Sequence, residues 1–391
     1  MRSADVVIVG GAVIGSAIAY FLRTHAGFAG SVLVVERDAS YANCATTRSL
    51  ASIRHQFSTP QNIAMSMFGT QFLRQAGERL AVDGDAPAIG FTEAGYLFLA
   101  TREGLPVLQA NHAVQRGQGA DVALLDAANL RARFPWLNVD DLAAGTLGLS
   151  GEGWLDAHAL MFGFRRKAIA LGARYLEAQA SALVRSGHRI AAVQLGDGSR
   201  IACGHVVNAA GTGAAALAAS AGIDLPVESR RRCVFHFHSP AALPTCPLVI
   251  DPSGVYFRPE GQGFVCGVAP PDDDDPVSHD FDVDWRLWDE RLWPALAARV
   301  PGFEAARVAS AWAGHYDVNV FDANAILGTH PEIDNCYFAN GFSGHGLQQS
   351  PAVGCGIAEL IVDGSYRSLD LSALGWLRVL QGAPLREINV V

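Results

Sequence analysis

Residues able to hold a phosphate group stand near the start of the chain. The β-branched run Val6–Val9 breaks into Gly10-Gly11-Ala12-Val13-Ile14-Gly15, and helix-forming residues follow from Ser16. Gly10 permits a tight turn, and Gly15 allows helix and strand to pack closely. The N–H groups of the first helical turn have no partner within the helix, so they attract phosphate charge. This order predicts a turn that binds the pyrophosphate of a dinucleotide.

An acidic residue ends the next strand, where it can accept hydrogen bonds from a ribose. The strand Ser31–Val35 leads into Glu36, which is placed for the adenosine 2′-hydroxyl. An acid there repels a 2′-phosphate, which disfavours NADP and leaves FAD and NAD. The turn departs from the usual pattern at Ala12, which replaces the second glycine and narrows the space beside the phosphate.

A second glycine-flanked loop opens a helix late in the chain. The segment 340–346 reads Asn-Gly-Phe-Ser-Gly-His-Gly, and a helical pattern follows from Leu347 to Asp363. This helix N-terminus also attracts negative charge. Reduction of a flavin leaves negative charge near N1 and O2 of its ring, whereas a nicotinamide dehydrogenase has no need of a second helix end. The second loop therefore favours FAD.

Length and charge limit the class of protein. The chain has 391 residues and a formal charge of −9. At ~100–200 residues per domain, the length predicts two or three domains, and the negative charge argues against a nucleic-acid partner. The acidic run 272–275 lies between prolines and is interpreted as a solvated loop, since consecutive acids do not converge on one ion. We predict no metal site.

Cysteines and the N-terminal segment indicate the compartment. The seven cysteines are odd in number and contain no C-x-x-C pair, so neither a disulfide framework nor a zinc site is predicted. The first strand begins without a signal-peptide pattern ahead of it. No apolar run reaches the ~18–20 residues of a membrane span. We expect a cytoplasmic protein with no transmembrane segment.

The periodicity of apolar residues indicates two interleaved domains. Short alternating strands such as 95–100 leave the first domain, and the buried strand 201–208 returns to it. We predict an α/β fold in which residues 1–84, 150–223 and 316–391 form a discontinuous Rossmann-like nucleotide-binding domain. Residues 85–149 and 224–315 form an inserted substrate-binding domain with an antiparallel sheet. Trp285, Trp288 and Trp293 of a predicted helix over 284–299 are interpreted as a packing face.

Five longer blocks carry a resemblance to a known family. They are Arg54-His55-Gln56-Phe57-Ser58, Phe134-Pro135-Trp136, Glu152-Gly153-Trp154, Ala311-Trp312-Ala313-Gly314 and the segment 341–349. Through them the chain resembles the FAD-dependent amino-acid oxidase superfamily, which contains glycine oxidase, monomeric sarcosine oxidase and D-amino-acid dehydrogenase. Within it the blocks match the group called FAD-dependent oxidoreductase domain-containing protein 1. The resemblance covers nearly the whole chain and implies a fold of the glycine/sarcosine oxidase type with FAD as cofactor.

The resemblance implies a set of cofactor contacts. The pyrophosphate turn comprises Gly10, Gly11, Ala12, Val13, Ile14 and Gly15, and Glu36 holds the adenosine ribose. Further contacts are Arg37, Thr46, Thr47, Arg48, Ser49, Ala180, Ala210, Gly211 and Gly314. The pyrimidine edge of the isoalloxazine is capped by Gly341, Gly344, His345, Gly346, Leu347 and Gln348. His345 acts there either through its side chain or through its backbone alone.

The resemblance also implies residues that bind a substrate carboxylate. Arg54 matches one carboxylate-binding residue of sarcosine oxidases, and a guanidinium offers two parallel donors to a carboxylate; the alternative is a surface arginine. Arg231 or Arg232 lies near an arginine used by the dehydrogenases. Gln348 replaces a lysine that joins in carboxylate binding. Tyr256 and Tyr316 are expected to close the pocket over the flavin, with a core position as the alternative for each.

Histidines and one replacement bear on the chemistry. His55 and His315 are the candidate bases, because imidazole titrates near working pH; a structural role is the alternative. His315 also stands where sarcosine oxidases carry a flavin-linking cysteine, so FAD is expected to be non-covalent. Val265 replaces the lysine with which those oxidases activate oxygen, so a dehydrogenase or slow oxidase is expected.

Three hypotheses of function follow. The first is oxidation of the C–N bond of an amino acid or N-substituted amino acid, by hydride transfer to flavin N5 and hydrolysis of the imine. The second is a 2-hydroxy acid dehydrogenase with the same cofactor. The third is a flavoprotein that assembles or stabilises a partner complex. The expected partners are a small carboxylate substrate and an electron acceptor, which is a quinone, an electron-transfer protein or O2.

Overall fold

The computed structural model describes residues 2–271 and 274–389. Asp272 and Asp273, half of the acidic run, lie outside the described residues. Asp275 does not fit the expected solvated loop, because its side chain is only 14% exposed and pairs with Arg232. The pairing compensates the carboxylate for its burial. In the part of the chain that is described, no helix is long and apolar enough to cross a membrane.

The described chain contains both strands and helices. The strands are β1 (Arg2–Val9), β2 (Val32–Glu36), β3 (Ser52–Ile53), β4 (Tyr96–Thr101), β5 (Val122–Asp126), β6 (Leu142–Gly148), β7 (Gly153–Trp154), β8 (Arg174–Glu177), β9 (Ala180–Ser186), β10 (Arg189–Leu195), β11 (Arg200–Asn208), β12 (Val227–His238), β13 (Leu248–Ile250), β14 (Tyr256–Glu260), β15 (Gly263–Gly267), β16 (Arg307–Asn319), β17 (Ile326–His330) and β18 (Ile333–Asn340). The helices are α1 (Val13–Thr24), α2 (Pro60–Arg74), α3 (Ala76–Arg79), α4 (Leu105–Gly117), α5 (Ala127–Arg133), α6 (Ala157–Ala170), α7 (Ala214–Ala219), α8 (Trp293–Arg299), α9 (Gly346–Asp363) and α10 (Trp376–Leu380).

The first sheet has the order β17-β18-β11-β1-β2-β8, and β9 and β10 form a hairpin attached to β11. β18, β11, β1, β2 and β8 are parallel, whereas β17 runs antiparallel to β18. Strands from all three segments predicted for the nucleotide-binding domain meet here. The predicted Rossmann-like α/β fold is confirmed.

Alternating burial along β1 explains how this sheet is covered on both faces. Val6 and Ile8 pack in one core with α1, α6 and α9, while Val7 and Val9 pack in another core that includes α7. Successive side chains of a strand point to opposite faces, so an unbroken apolar run requires a layer on each side. Each fully buried Val or Ile contributes about 1.5–3 kcal/mol.

The second sheet has the order β16-β12-β15-β14-β13-β4-β6-β5. Its pairs are antiparallel except β13 with β4, which are parallel. The strands come from the two segments predicted for the substrate domain, but β16 continues to Asn319 and so crosses the predicted boundary at 315/316. The division of the chain into domains stays a prediction.

The tryptophan-rich segment packs less fully than expected. The ring of Trp288 lies 6.0 Å from that of Phe235 and 5.6 Å from that of Phe237. Trp285 and Trp293 are instead 56% and 40% exposed. A π-helical turn over Trp288–Leu292 precedes α8 and changes the angular spacing on which a shared face depends. The predicted packing face is therefore wrong for these two rings.

Two glycines set how closely β1, β11 and α1 approach one another. Gly10 has φ +98°, and a Cβ atom there would overlap the carbonyl group of Ala209 after β11. A Cβ atom at Gly15 would overlap the carbonyl oxygen of Gly10 itself. Only glycine permits this turn and this contact between helix and turn.

We predict that Gly15→Ala lowers the free energy of unfolding by about 1–3 kcal/mol, because the added methyl group must push α1 from the turn. Urea denaturation measures the change. The matched control is Gly77→Ala within α3, where no atom lies within 4 Å of the added Cβ. That control is expected to be neutral or to stabilise by up to about 1 kcal/mol. Equal effects of the two substitutions would contradict the prediction.

Candidate active site

A cavity of about 740 Å³ lies at the carboxyl ends of the parallel strands. Val9, Val35 and Ala209 line it where β1, β2 and β11 end, and Ser229 of β12 and Tyr316 of β16 line it from the second sheet. Ligands of parallel sheets bind at this edge. The cavity therefore lies between the two sheets and within the size range of small-molecule sites, about 300–1,000 Å³.

The N-terminus of α1 faces one part of the cavity. Ala12, Val13 and Ile14 line it, and no side chain caps the helix at Ala12. The N–H of Val13 donates a long hydrogen bond of 3.4 Å to Thr46 Oγ1. Helix N–H groups without strong protein partners form an anion site, as a pyrophosphate requires.

Glu36 is fixed at the edge of the same region. Its Oε2 accepts a hydrogen bond of 2.7 Å from the N–H of Gly11, and its Oε1 accepts one of 3.0 Å from the N–H of Asp38. A carboxylate oxygen has more than one lone pair, so both oxygens keep acceptor capacity toward the cavity that Glu36 lines. This placement suits the ribose hydroxyls of an adenosine.

The N-terminus of α9 faces another part of the cavity. Gly344, Gly346 and Leu347 line it, and no side chain caps the helix at His345. The ring of Tyr316 packs directly on the backbone of Gly344. Two uncapped helix ends thus open into one cavity, and together with Glu36 they fit a dinucleotide whose ring acquires negative charge. The residues present therefore fit FAD.

Most of the predicted cofactor contacts line this cavity. They are Gly10, Ala12, Val13, Ile14, Glu36, Arg37, Thr46, Ser49, Ala180, Ala210, Gly211, Gly344, Gly346 and Leu347. Gly11, Gly15, Thr47, Arg48, Gly314, Gly341, His345 and Gln348 do not line it. Sequence reasoning missed Gln179, Thr212, Gly213, His279, Phe281 and Asp317, which do. These six belong to none of the quoted motifs. Only the folded structure shows that they lie at the cavity.

Arg48 and Thr47 contact other parts of the protein instead of lining the cavity. The Nη1 of Arg48 donates to the carbonyl of Ala313 at 2.9 Å, and its guanidinium lies 4.5 Å from the ring centre of Phe281. The hydroxyl of Thr47 donates to the carbonyl of Tyr41 at 2.6 Å. As direct cofactor contacts, both residues stay predictions.

Arg54 is buried beside the cavity without lining it. Its guanidinium lies 4.5 Å from the ring centre of Phe57, and Nη2 is 3.0 Å from His345 Nε2 and donates to the carbonyl of Asn389. Its Nε is buried without a partner. The alternative of a surface arginine is wrong, since the residue is only 3% exposed.

The other predicted carboxylate ligands already have partners in the protein. Arg231 pairs with Asp280, and Arg232 donates twice to Asp275 at 2.8 Å while lying over the ring of Tyr316. The Oε1 of Gln348 accepts a hydrogen bond of 2.8 Å from the N–H of Arg54. None of Arg231, Arg232 and Gln348 lines the cavity.

The structure brings one of the two candidate bases to the cavity. His315 lines it, and its buried Nε2 has no partner; burial lowers the pKa of its ring. His55 does not line the cavity, and its Nε2 is 2.8 Å from Thr70 Oγ1. Burial lowers the pKa of His55 to about 4, so this ring is neutral at working pH. As a candidate base, His55 stays a prediction.

The two candidate tyrosines occupy different positions. Tyr316 lines the cavity, whereas Tyr256 is buried on β14 and does not. Burial raises the pKa of both phenols, and the charges of Arg232 and Arg54 oppose this effect at Tyr316. Tyr316 therefore lies within the electrostatic reach of Arg54.

A buried carboxyl group holds the segment that carries Arg54. The Oε1 of Glu152 accepts from the N–H of His55 at 2.6 Å, and its Oε2 accepts from Gln56 Nε2 at 2.8 Å. Glu152 is only 1% exposed. Burial raises the pKa of this carboxyl to about 7, although hydrogen bonds from Gln56 and His55 oppose the increase.

The Rossmann-like sheet, the second antiparallel sheet and the shared cavity define an oxidoreductase that uses a dinucleotide. The profile of the FAD dependent oxidoreductase family matches residues 5–360, and the chain belongs to this family. FAD is thus the cofactor of its class. FAD-dependent oxidoreductase domain-containing protein 1 of Xenopus laevis is 41% identical over 423 residues, which cover 99% of this chain and 85% of that protein.

Solved structures share the whole fold at lower identity. L-proline dehydrogenase from P. horikoshii aligns with a TM-score of 0.87 and 24% identity, covering 98% of this chain and 99% of that one. Glycine oxidase from Geobacillus kaustophilus aligns with a TM-score of 0.82 and 24% identity, covering 96% of this chain and 98% of that one. The predicted glycine oxidase type of fold is confirmed.

We predict that Glu152→Gln shifts the pH dependence of stability. Because the pKa of Glu152 is raised from 4.5 to about 7, the folded protein holds a proton over this interval that the unfolded chain has lost. The wild type therefore loses stability as pH rises through it. Relative to the wild type, Glu152→Gln should gain about 1–2 kcal/mol between pH 5.5 and pH 8.

Urea denaturation at the two pH values measures this difference. The matched control is Glu103→Gln, which neutralises an exposed carboxylate and should change little at either pH. A constant difference between Glu152→Gln and the wild type across the pH range would show that this carboxyl does not titrate as described.

Proposed function

We propose that the protein oxidises the C–N bond of an amino acid or N-substituted amino acid and acts as a dehydrogenase. FAD, when bound, supplies a hydride acceptor for the carbon next to the nitrogen. The names of the structural relatives, an L-proline dehydrogenase and a glycine oxidase, describe reactions of this type. The observation that carries the proposal is the buried guanidinium of Arg54 next to the cavity, which forms no ion pair in the part of the chain that the structure describes.

Arg54 differs from the other deeply buried arginines in having no carboxylate partner within residues 2–271 and 274–389. Arg299 pairs with Asp251 at 2.5 Å, and Arg378 pairs with Asp322 at 2.7 Å. Arg54 forms no such ion pair among the residues that the structure describes; its polar partners are the ring of His345 and a backbone carbonyl. Burial and the neighbouring guanidinium lower the pKa of His345 to about 3, so that ring adds no charge.

A buried cation without an ion pair is costly, and a substrate carboxylate would relieve that cost. The charge of Arg54 does act on Glu152, but burial raises the pKa of that carboxyl to about 7, so it is only partly ionised near neutral pH. The partnerless Nε and the Nη groups of Arg54 can present two donors to such a group. Tyr316 lines the cavity within the electrostatic reach of Arg54, and we propose that its ring moves to let a carboxylate contact the guanidinium. In this proposal Tyr316 is the movable wall that closes the pocket, as the resemblance implies.

His315 is the proposed acceptor of the ammonium proton. Its Nε2 has no partner among the described residues, and burial lowers the pKa of the ring, which favours the neutral form that can take a proton from a bound ammonium group. The same residue excludes a cysteinyl bond to the flavin at this position, so we propose that FAD is bound non-covalently. Val265 is buried on β15 and supplies no cation for oxygen activation, which supports a dehydrogenase.

We expect alanine or N-methylalanine to bleach the flavin of the holoenzyme under anaerobic conditions. Lactate carries a hydroxyl group in place of the amino group and is the matched control. The comparison is then repeated with amino acids, N-methyl amino acids and 2-hydroxy acids that have longer side chains. The reduced enzyme should then be reoxidised faster by an added quinone than by air. Stopped-flow absorbance records both steps.

Other outcomes would reject parts of this proposal. Bleaching by the hydroxy acids alone would assign the enzyme to 2-hydroxy acids. Bleaching by dithionite but by no compound of either series would reject amino-acid oxidation. Reoxidation by air as fast as by quinone would reject the dehydrogenase assignment alone.

We predict that Arg54→Lys raises KM for the amino-acid substrate at least about tenfold while changing kcat less, because lysine keeps the charge but loses the paired donors. The FAD content of the purified protein should stay near that of the wild type. Arg232→Lys is the comparison, since Asp275 already occupies this guanidinium. A larger rise in KM for Arg232→Lys would transfer the role of carboxylate ligand to that residue.

A further inference from the structure

One residue of β16 binds three successive N–H groups of the loop that precedes α9. The carboxyl group of Asp317 accepts from Gly341 at 2.8 Å and also from Phe342. The carbonyl of Asp317 accepts from Ser343 at 3.0 Å. Asn319 of the same strand makes one such contact, in which its N–H donates to the Oγ of Ser343 at 3.1 Å. Asp317 is thus the main anchor of this loop.

The loop needs such an anchor because of its backbone conformation. Gly341, Ser343 and Gly344 have φ values of +74°, +51° and +94°. Ser343 is not a glycine, and the left-handed region costs such a residue of order 1–3 kcal/mol unless its surroundings hold it. The same loop delivers Gly344 and Gly346 to the cavity wall. The anchor therefore sets where the second helix end faces the cofactor.

Asp317 itself lines the cavity and is only 8% exposed. No cation pairs with it among the residues that the structure describes. Titratable groups on the elements around it are Glu228 and Arg230 of β12, which pair with each other, His315 and Tyr316 of β16, His279 across the cavity and His345 of the loop. Burial raises the pKa of Asp317 to about 6, and backbone N–H groups including those of Gly341 and Phe342 oppose the increase.

We propose that Asp317 is a positioning residue for the flavin, and that its carboxylate takes up a proton from water when the bound FAD is reduced. Two electrons from the reductant add negative charge to a cavity whose wall already holds this carboxylate. A like charge disfavours ionisation of the carboxyl group, so protonation of Asp317 accompanies reduction. The charge state of Asp317 in turn sets how strongly reduced FAD is held relative to oxidised FAD.

The test is Asp317→Asn, which keeps one acceptor oxygen for the loop and removes the charge. The midpoint potential of the bound flavin is measured from pH 5 to pH 8 with dithionite as reductant. At pH 8 the variant should favour reduced FAD about tenfold more than the wild type does, which is about 30 mV for two electrons. At pH 5, where Asp317 is protonated in both redox states, the difference should disappear. The dissociation constant of oxidised FAD should also rise, because the loop loses an acceptor.

Glu359→Gln is the matched control. Glu359 is a buried carboxylate that likewise accepts two successive N–H groups, from Arg367 at 2.7 Å and Ser368 at 3.1 Å. It lies thirteen residues along α9 from Gly346, about 20 Å from the cavity end of the helix. Its removal should affect stability and leave the flavin potential unchanged. An equal change of potential in both variants would overturn the proposal.

Potentials of wild type and Asp317→Asn that stay parallel from pH 5 to pH 8 would also overturn it. If Asp317→Asn does not fold, the infrared difference spectrum between reduced and oxidised wild type decides. A tenfold preference corresponds to a rise of about one unit in the pKa of Asp317, from about 6. The carbonyl stretch of a newly protonated carboxyl group must therefore appear on reduction at about pH 6.5, midway through that rise, and its absence would reject the proton uptake. Dithionite needs no substrate, so failure of this test is distinct from failure of the proposed amino-acid chemistry.

Discussion

The structure depends on two helix N-termini that open into one cavity without side-chain caps. Buried N–H groups without partners cost about 1–3 kcal/mol each, so a fold that gathers them at one place is stabilised by an anionic ligand there. α1 reaches this position because Gly10 and Gly15 allow the turn to approach β11 and the helix so closely. α9 reaches it because the loop before it is tied to β16. The N-termini of both helices therefore face the one cavity between the two sheets, where the negative charge of FAD would lie.

The buried arginines differ in whether a carboxylate of the protein pairs with them. Arg299 and Arg378 are stabilised by carboxylates within the protein, and so is Arg232 beside the cavity. Arg54 has aromatic rings and neutral acceptors around it instead. The pKa values of His55 and His345 are lowered by burial, so neither ring competes for an incoming carboxylate. This contrast is the reason why we propose Arg54 as the ligand of a substrate carboxylate.

The fold and the cofactor were predictable because local chemistry carries them. The turn at 10–15 and the acid at Glu36 work through backbone geometry and a neighbouring strand, and such features survive any arrangement of the rest of the chain. The functions of Thr47, Arg48 and His55 could not be read in this way. Each contributes a polar group to a motif, but the direction of the side chain depends on partners such as Tyr41, Ala313 and Thr70, which lie elsewhere in the sequence.

The sequence by itself determined the Rossmann-like domain, the FAD family and most of the stretches of chain that line the cavity, because short-range patterns of glycine, apolar and acidic residues specify them. Only the tertiary structure decided which charges are left unpaired. Arg54, Arg231 and Arg232 are chemically alike in the sequence, yet Asp275 and Asp280 neutralise two of them after folding. Asp317 acquires its place in the cavity in the same way, because strand pairing brings it to the loop before α9. Electrostatic roles depend on burial and distance, which no local pattern encodes.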